Sequence, residues 1–299
     1  MRKFGARLGV AGTVVILAGA VLLVRHERLL ASPGEARNAR ARAAALAGGA
    51  PAPGHADDAT DIYAADRPGM LSPVVQNFPS RIYVPNSDSN TVDVIDPVTF
   101  KVIDHFSAGA QPQHVVPSYD LKTLWVLNDK GNSLTKIDPA TGKKGETVPV
   151  DDPYNLYFTP NGSQAIVVAE ALHRLDFRDA QTMKLIVSLH VPCAGVNHMD
   201  YAADGSYFIA SCEFDGHLLK IETATRKILG KLALDPKDMP QDVRTSPDGK
   251  IFYVADMMAN GVHIIDADKF AKIGFLATGK GAHGLLIGRG LQADVHLEP

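Results

Sequence analysis

The chain has 299 residues, about two ordinary domains' worth, and its 45% apolar and 21% charged residues exclude wholesale disorder. Residues 1–50 carry eight Lys or Arg against two Glu, a net +6 that leaves −9 of the overall −3 for residues 51–299. That acidic body argues against binding a nucleic-acid backbone, and two cysteines, Cys193 and Cys212, exclude a disulfide-dense scaffold or a four-cysteine cluster.

Residues 1–30 read as an address. Arg2, Lys3 and Arg7 precede an uncharged apolar run from Leu8 to Val24, which ends at Arg25. Seventeen residues is the lower limit for a membrane-spanning helix and longer than most signal-peptide cores. The expectation is a signal-anchor with a short cytoplasmic tail; a cleaved signal peptide is the alternative. The expected location is a single-pass cell-membrane protein with its body outside the cytoplasm, periplasmic or extracellular, or a secreted one after cleavage. Over residues 31–78 the chain reads as an Ala/Pro/Gly-rich linker, nineteen of the thirty residues from Ala31 to Thr60 being of these types.

From residue 79 the chain repeats. Apolar runs end at Asn86, Asn128, Ala169, Cys212 and Asp256, spaced 42, 41, 43 and 44 residues. Acidic turn residues Asp96, Asp138, Asp179, Glu222 and Asp266 follow the same spacings. Two registers that agree to the residue define repeats over about 81–118, 119–160, 161–203, 204–247 and 248–299. Within each, short alternating runs separated by Gly, Pro and Asp read as four antiparallel strands, the blade of an all-β propeller. The repeated acidic residues read as turn caps, since Asp bonds the backbone two residues on.

Tyr83-Val84-Pro85-Asn86, Trp125-Val126-Leu127-Asn128 and Tyr253-Val254-Ala255-Asp256 carry a family signature, with Ser246-Pro247-Asp248-Gly249 as the turn before the last. Over residues 79–285 the chain resembles the YVTN β-propeller repeat proteins. The resemblance implies an exported bacterial or archaeal protein, often of seven blades. Such propellers are similar to the haem-binding propeller of cytochrome-type nitrite reductases and to seven-bladed lactonases. Residues 81–108 supply three strands of one blade, and four whole blades follow. His283–Gly288 could add the missing inner strand and close a five-bladed ring. Against the family pattern, no strong strand follows Leu285, and the expectation is a product truncated relative to a seven-bladed relative.

Counting six residues back from the turn residues Asp120, Asn161, Asp204 and Asp248 gives His114, Asn155, His198 and Asp242 at the channel mouth, with His283 as the fifth. Such a ring could bind a metal, a haem edge or an anionic ligand, or merely bond neighbouring backbone. Cys193 and Cys212 read as neighbours in one blade. In an oxidising compartment a disulfide is the default. The alternative is a metal site of Cys193, His198 and Cys212 with Glu213 or His217. Met199, Met239, Met257 and Met258 near the same mouth would suit copper. No nucleophile motif occurs.

The leading expectation is therefore a membrane-tethered, non-catalytic binding module whose propeller face takes a protein or small-molecule partner. It contacts membrane through residues 8–24 and no nucleic acid. A redox propeller carrying copper, zinc or haem is the alternative, and a lactonase-like hydrolase the third reading.

Overall fold

The computed structural model describes residues 61–66 and 69–288. The signal-anchor expected over residues 1–30 lies outside the described residues. Among the described residues no helix is long and apolar enough to cross a membrane, and the 3-10 turn Ala64–Asp66 is the one helical element.

Five antiparallel sheets follow one another along the chain. Blade one holds β1 (Ile82–Asn86), β2 (Thr91–Ile95) and β3 (Val102–Ser107). Blade two holds β4 (Pro112–Pro117), β5 (Leu124–Asn128), β6 (Ser133–Ile137) and β7 (Lys144–Pro149). Blade three runs through β8 (Pro153–Phe158), β9 (Gln164–Ala169), β10 (Arg174–Asp179) and β11 (Leu185–His190). Blade four has β12 (Val196–Tyr201), β13 (Tyr207–Cys212), β14 (His217–Glu222) and β15 (Ile228–Ala233). Blade five has β16 (Pro240–Thr245), β17 (Ile251–Asp256), β18 (Gly261–Asp266) and β19 (Ala271–Ala277). In each sheet the strands pair in chain order, the arrangement of a propeller. The sequence repeats lag the sheets by one strand, because each repeat begins at a blade's second strand.

Burial is deepest in the second strands of blades two to four and is lost in the outermost strands, which explains the strand sequences. In β9 every residue after Gln164 is buried, since neighbouring blades cover both faces, whereas β3, β7 and β11 are largely exposed. The core lies between blades. Phe177 of blade three packs with Phe208 of blade four in one cluster, and Phe252 of blade five packs with Ile209 and Leu218 of blade four in another. Two further clusters join blades one and two and blades two and three. Fully burying an aromatic or aliphatic side chain contributes about 1.5–3 kcal/mol, so these seams carry the fold.

The outer hairpins repeat one turn. Asp96 Oδ1 accepts the N–H of Val98 and Thr99 at 2.7 and 3.0 Å, and Asp138 and Asp179 do the same for Ala140 and Thr141 and for Gln181 and Thr182. Four residues after each acidic position the backbone turns left-handed, at Phe100, Gly142, Met183, Arg226 and Phe270. Only the second of these is glycine, so four turns hold a side chain where φ is positive.

Residues 282–288 form no strand. His283 O instead accepts the N–H of Asp242 at 3.4 Å, and Leu285 N–H donates to Asp242 Oδ2 at 2.9 Å. The segment that could have been an inner strand for blade one thus lies against β16 of blade five. Ahead of β1, Ile62 N–H donates to Pro247 O, and the Tyr63 hydroxyl to Thr245 O, both at 2.9 Å. The chain therefore reaches blade five before it forms blade one.

Candidate functional site

The pairing of the first two strands slips at the start of each complete blade. It shifts between Pro112 and His114, Pro153 and Asn155, Val196 and Met199, and Pro240 and Val243. An extra residue in one strand of a pair re-aims its side chain and frees it from strict alternation. In blade two both Gln113 and the counted His114 reach the channel mouth, whereas in blades three and five it is the residue before the counted one, Tyr154 and Gln241.

A cavity of about 260 Å³ opens at this mouth. Gln113, His114, Tyr154 and Gln241 line it from the inner strands, and His283 from the last segment. Glu170, Glu213, Phe214 and Met257 line it from the loops that leave the second strands. His114, Tyr154 and His198 are mutually packed edge to face, with centroids 5.3–5.8 Å apart, and His283 packs on His198 at 5.7 Å.

Hydrogen bonds fix the tautomers of two rings. His114 Nδ1–H donates to Tyr154 O at 2.8 Å, and His198 Nδ1 faces Asn197 Oδ1 at 3.0 Å. A carbonyl oxygen can only accept, so both rings keep Nε2 as a lone pair. Burial lowers His114 to about 4, the Tyr154 carbonyl opposing and His283 adding to the effect. It also holds His198 well below the usual range, reinforced by His114 and His283, and lowers His283. The three imidazoles are neutral at neutral pH.

The Glu170 carboxyl is pushed the other way. Burial raises Glu170 to about 8, with the Glu213, Asp129 and Asp152 carboxylates adding repulsion. Glu213 Oε2 accepts from Asn197 Nδ2 at 2.7 Å. Of the ligands such a ring could take, an anion suits this lining least: no Lys or Arg lines the cavity, and two carboxyls do.

The ring residues named from sequence do not act as one set. His114, His198 and His283 come together, but Asn155 turns away, its Nδ2 donating to the Tyr157 hydroxyl at 3.0 Å and its Oδ1 accepting Leu156 N–H. Asp242 pairs with Arg244 at 2.7 Å and takes the Leu285 N–H; burial raises it to about 6 against the pull of Arg244. Among the described residues the three imidazoles are not a group whose donor atoms all fall within 4.8 Å of one another, so they are edge-to-face rings and not a ready ligand set.

Cys193 and Cys212 are joined in a disulfide. A disulfide sulfur is no thiolate ligand, so the set of Cys193, His198, Cys212, Glu213 and His217 does not form a metal site. His217 Nδ1 is turned to Asp215, 3.2 Å from Oδ1. Of the methionines, Met199 is core, Met258 is 56% exposed and Met257 lines the cavity. At about 260 Å³ the cavity lies below the roughly 300–1,000 Å³ of pockets for drug-sized ligands.

Tyr154, Glu170, Gln113, Gln241 and Phe214 were not read from sequence. The signal was one residue away. The position after each second-strand end gives Asp129, Glu170, Glu213 and Met257, and the residue before each counted position gives Gln113, Tyr154, Asn197 and Gln241.

Among solved structures 1609 chains match, so the architecture is widespread. The hydrazine synthase of Kuenenia stuttgartiensis superposes with a TM-score of 0.56 at 21% identity, over 62% of this chain and 60% of that one. The match spans less than two thirds of that relative, and at this identity the likeness carries the fold alone. No curated protein matches the sequence. The profile of the YNCE-like beta-propeller family matches residues 37–295, most of the chain, with the repeated strands and turns described above; the chain belongs to that family.

Proposed function

We propose that this chain is a non-catalytic binding propeller that takes a small organic cation, a primary amine or guanidinium, in its mouth cavity. The observation that carries the reading is the lining: Glu213 supplies a carboxylate and Glu170 a second one once it ionises, Tyr154 and Phe214 supply ring faces, His114 and His283 supply neutral acceptors, and no Lys or Arg lines the cavity. The cavity's 260 Å³ suits a small ligand. Export and membrane tethering are part of the same proposal. The apolar run of residues 8–24 and a disulfide of the kind that persists in oxidising compartments support them.

Calorimetric titration with matched amines, guanidinium compounds and carboxylates tests it. Cations bind and carboxylates do not, and Glu213→Gln weakens binding at least about tenfold, or ~1.4 kcal/mol. Carboxylate binding with no cation binding overturns the reading.

The pH profile follows from Glu170. Its carboxyl is protonated below about 8 and must ionise to pair with a cation. Affinity therefore climbs as pH rises towards about 8, by up to about tenfold per unit, and then levels. In the ligand-free protein the sign is the reverse. A carboxyl raised from 4.5 to about 8 binds its proton more tightly folded than unfolded, so its contribution is lost as pH climbs through that window. Glu170→Gln flattens both slopes.

A further inference from the structure

Blade five holds a second constellation that the mouth cavity does not use. Asp256 closes β17, and His263 lies on β18 opposite Val254, two residues from Asp256 along the ladder and on the same face. Asp238 comes from the loop between β15 and β16. His263 Nε2 lies 3.2 Å from Asp256 Oδ2 and 3.4 Å from Asp238 Oδ2. One donor atom from each residue falls within 4.8 Å of the other two. Among the described residues this is the group in which three ligand-type side chains converge so closely.

The separations suit an ion. Zinc bonds of about 2.0–2.2 Å put tetrahedral donors about 3.3–3.6 Å apart. The ligands are also held in place beforehand. Asp256 Oδ1 accepts the N–H groups of Met239, Met258 and Ala259 at 3.1, 3.0 and 2.7 Å, which leaves Oδ2 for the site. Asp238 Oδ2 takes the Asp235 N–H at 3.1 Å. Such outer contacts orient first ligands.

Charge gives an independent reason. The side chains of Asp256, His263 and Asp238 are 0%, 1% and 12% exposed, and neither carboxylate pairs with Lys or Arg among the described residues. The matching place in blade two is neutral, with Asn128 bonded to Thr135. In blade three Asp176 is answered by Arg174 and Arg178 at 2.9 and 3.0 Å. Blade five alone sets two nearly buried carboxylates on one imidazole. A proton on that ring still leaves a negative site, and a divalent cation neutralises it.

We propose that Asp238, Asp256 and His263 bind Zn²⁺, with water as the fourth ligand reached past Asp238. The ion would tie the loop before β16 to the end of β17, beside the Met257 wall of the mouth cavity.

The full chain, stripped with chelator and dialysed, is titrated with Zn²⁺ alone and its bound metal counted by mass spectrometry. One equivalent binds. Asp238→Asn and His263→Gln each weaken it more than about a hundredfold, beyond the 10–100-fold cost of losing an outer contact. His105→Gln, at an exposed histidine of blade one, leaves it unchanged. No stoichiometric zinc, or zinc retained in folded Asp238→Asn, overturns the proposal. Should that variant fail to fold, Co²⁺ bound to the unaltered chain decides. Visible bands of a low-coordinate nitrogen- and oxygen-ligated ion support the site, and the spectrum of aqueous Co²⁺ overturns it.

Discussion

In blade four the end of the second strand is bound to the loop before the first by the Cys193–Cys212 disulfide, with Cα atoms 5.9 Å apart. In blade five the corresponding strand end is Asp256, which reaches the corresponding loop by accepting Met239 N–H and by sharing His263 with Asp238. The repeat sets where a strand end meets its lead-in loop, and leaves open which chemistry makes the contact. The two solutions act on different states. The disulfide closes a loop of sequence separation 19 and acts chiefly by restricting the unfolded chain, whereas the Asp–His–Asp group exists only in the fold. Burial alone would raise the Asp256 carboxyl, but His263 and the N–H groups of Ala259 and Met239 outweigh it and hold it below the usual range.

The largest effect is expected in blade five. Asp256→Ala removes the acceptor of three backbone N–H groups and the nearer of the two carboxylates that face His263. Breaking a buried ionic group from one side costs about 3–5 kcal/mol. Equilibrium unfolding in urea measures it, and a loss under about 1 kcal/mol would show that the group does not hold the loop. In blade four, replacing both cysteines by alanine costs about 3 kcal/mol on the loop-entropy estimate. Reducing the unaltered chain should lower its unfolding midpoint by the same amount. A midpoint that ignores reductant would place the strength of that contact in packing, since Cys193 and Cys212 both lie in a buried interblade cluster.

What was legible in the sequence follows from how each feature is encoded. The spacing of Asn86, Asn128, Ala169, Cys212 and Asp256 fixed the strands, because burial on both faces forces apolar runs at a constant interval. The turn caps at Asp96, Asp138 and Asp179 were equally plain, their hydrogen bonds being local. The mouth was half legible. His114, His198 and His283 were found by period, but strict alternation hid Tyr154 and Gln241, which the slipped pairing also brings to the channel. Glu170 was hidden for another reason: an acidic residue just past a strand end looks like any loop residue, and only the fold sets it in a cavity lined from several blades. The Asp238–Asp256–His263 group was out of reach. Asp238 joins it from a loop longer than those of its sister blades, and His263 occupies a position held by Asp93, Thr135, Asp176 and Leu219 elsewhere.

Blade two offers the smallest effect and the sharpest control, because it makes the contact without charge or covalent bond. Asn128, fully buried, accepts Gly109 N–H at 2.9 Å and donates to Ser133 Oγ and Thr135 Oγ1 at 3.2 and 2.9 Å. The loop passes so near that a Cβ on Gly109 would come within 2.6 Å of the Asn128 carboxamide carbon, so the amide is held on both sides. In Asn128→Ala the hydroxyls can rotate, and Thr135 keeps its 3.0 Å bond to Thr147. One backbone N–H is orphaned, at a cost of about 1–2 kcal/mol. The expected order by urea unfolding is Asp256→Ala, then the cysteine pair, then Asn128→Ala. If Asn128→Ala proves as costly as Asp256→Ala, position in the blade sets the penalty and charge adds nothing. If it is far milder, the excess in blade five is the cost of losing the Asp256 hydrogen bonds to three backbone N–H groups and to His263.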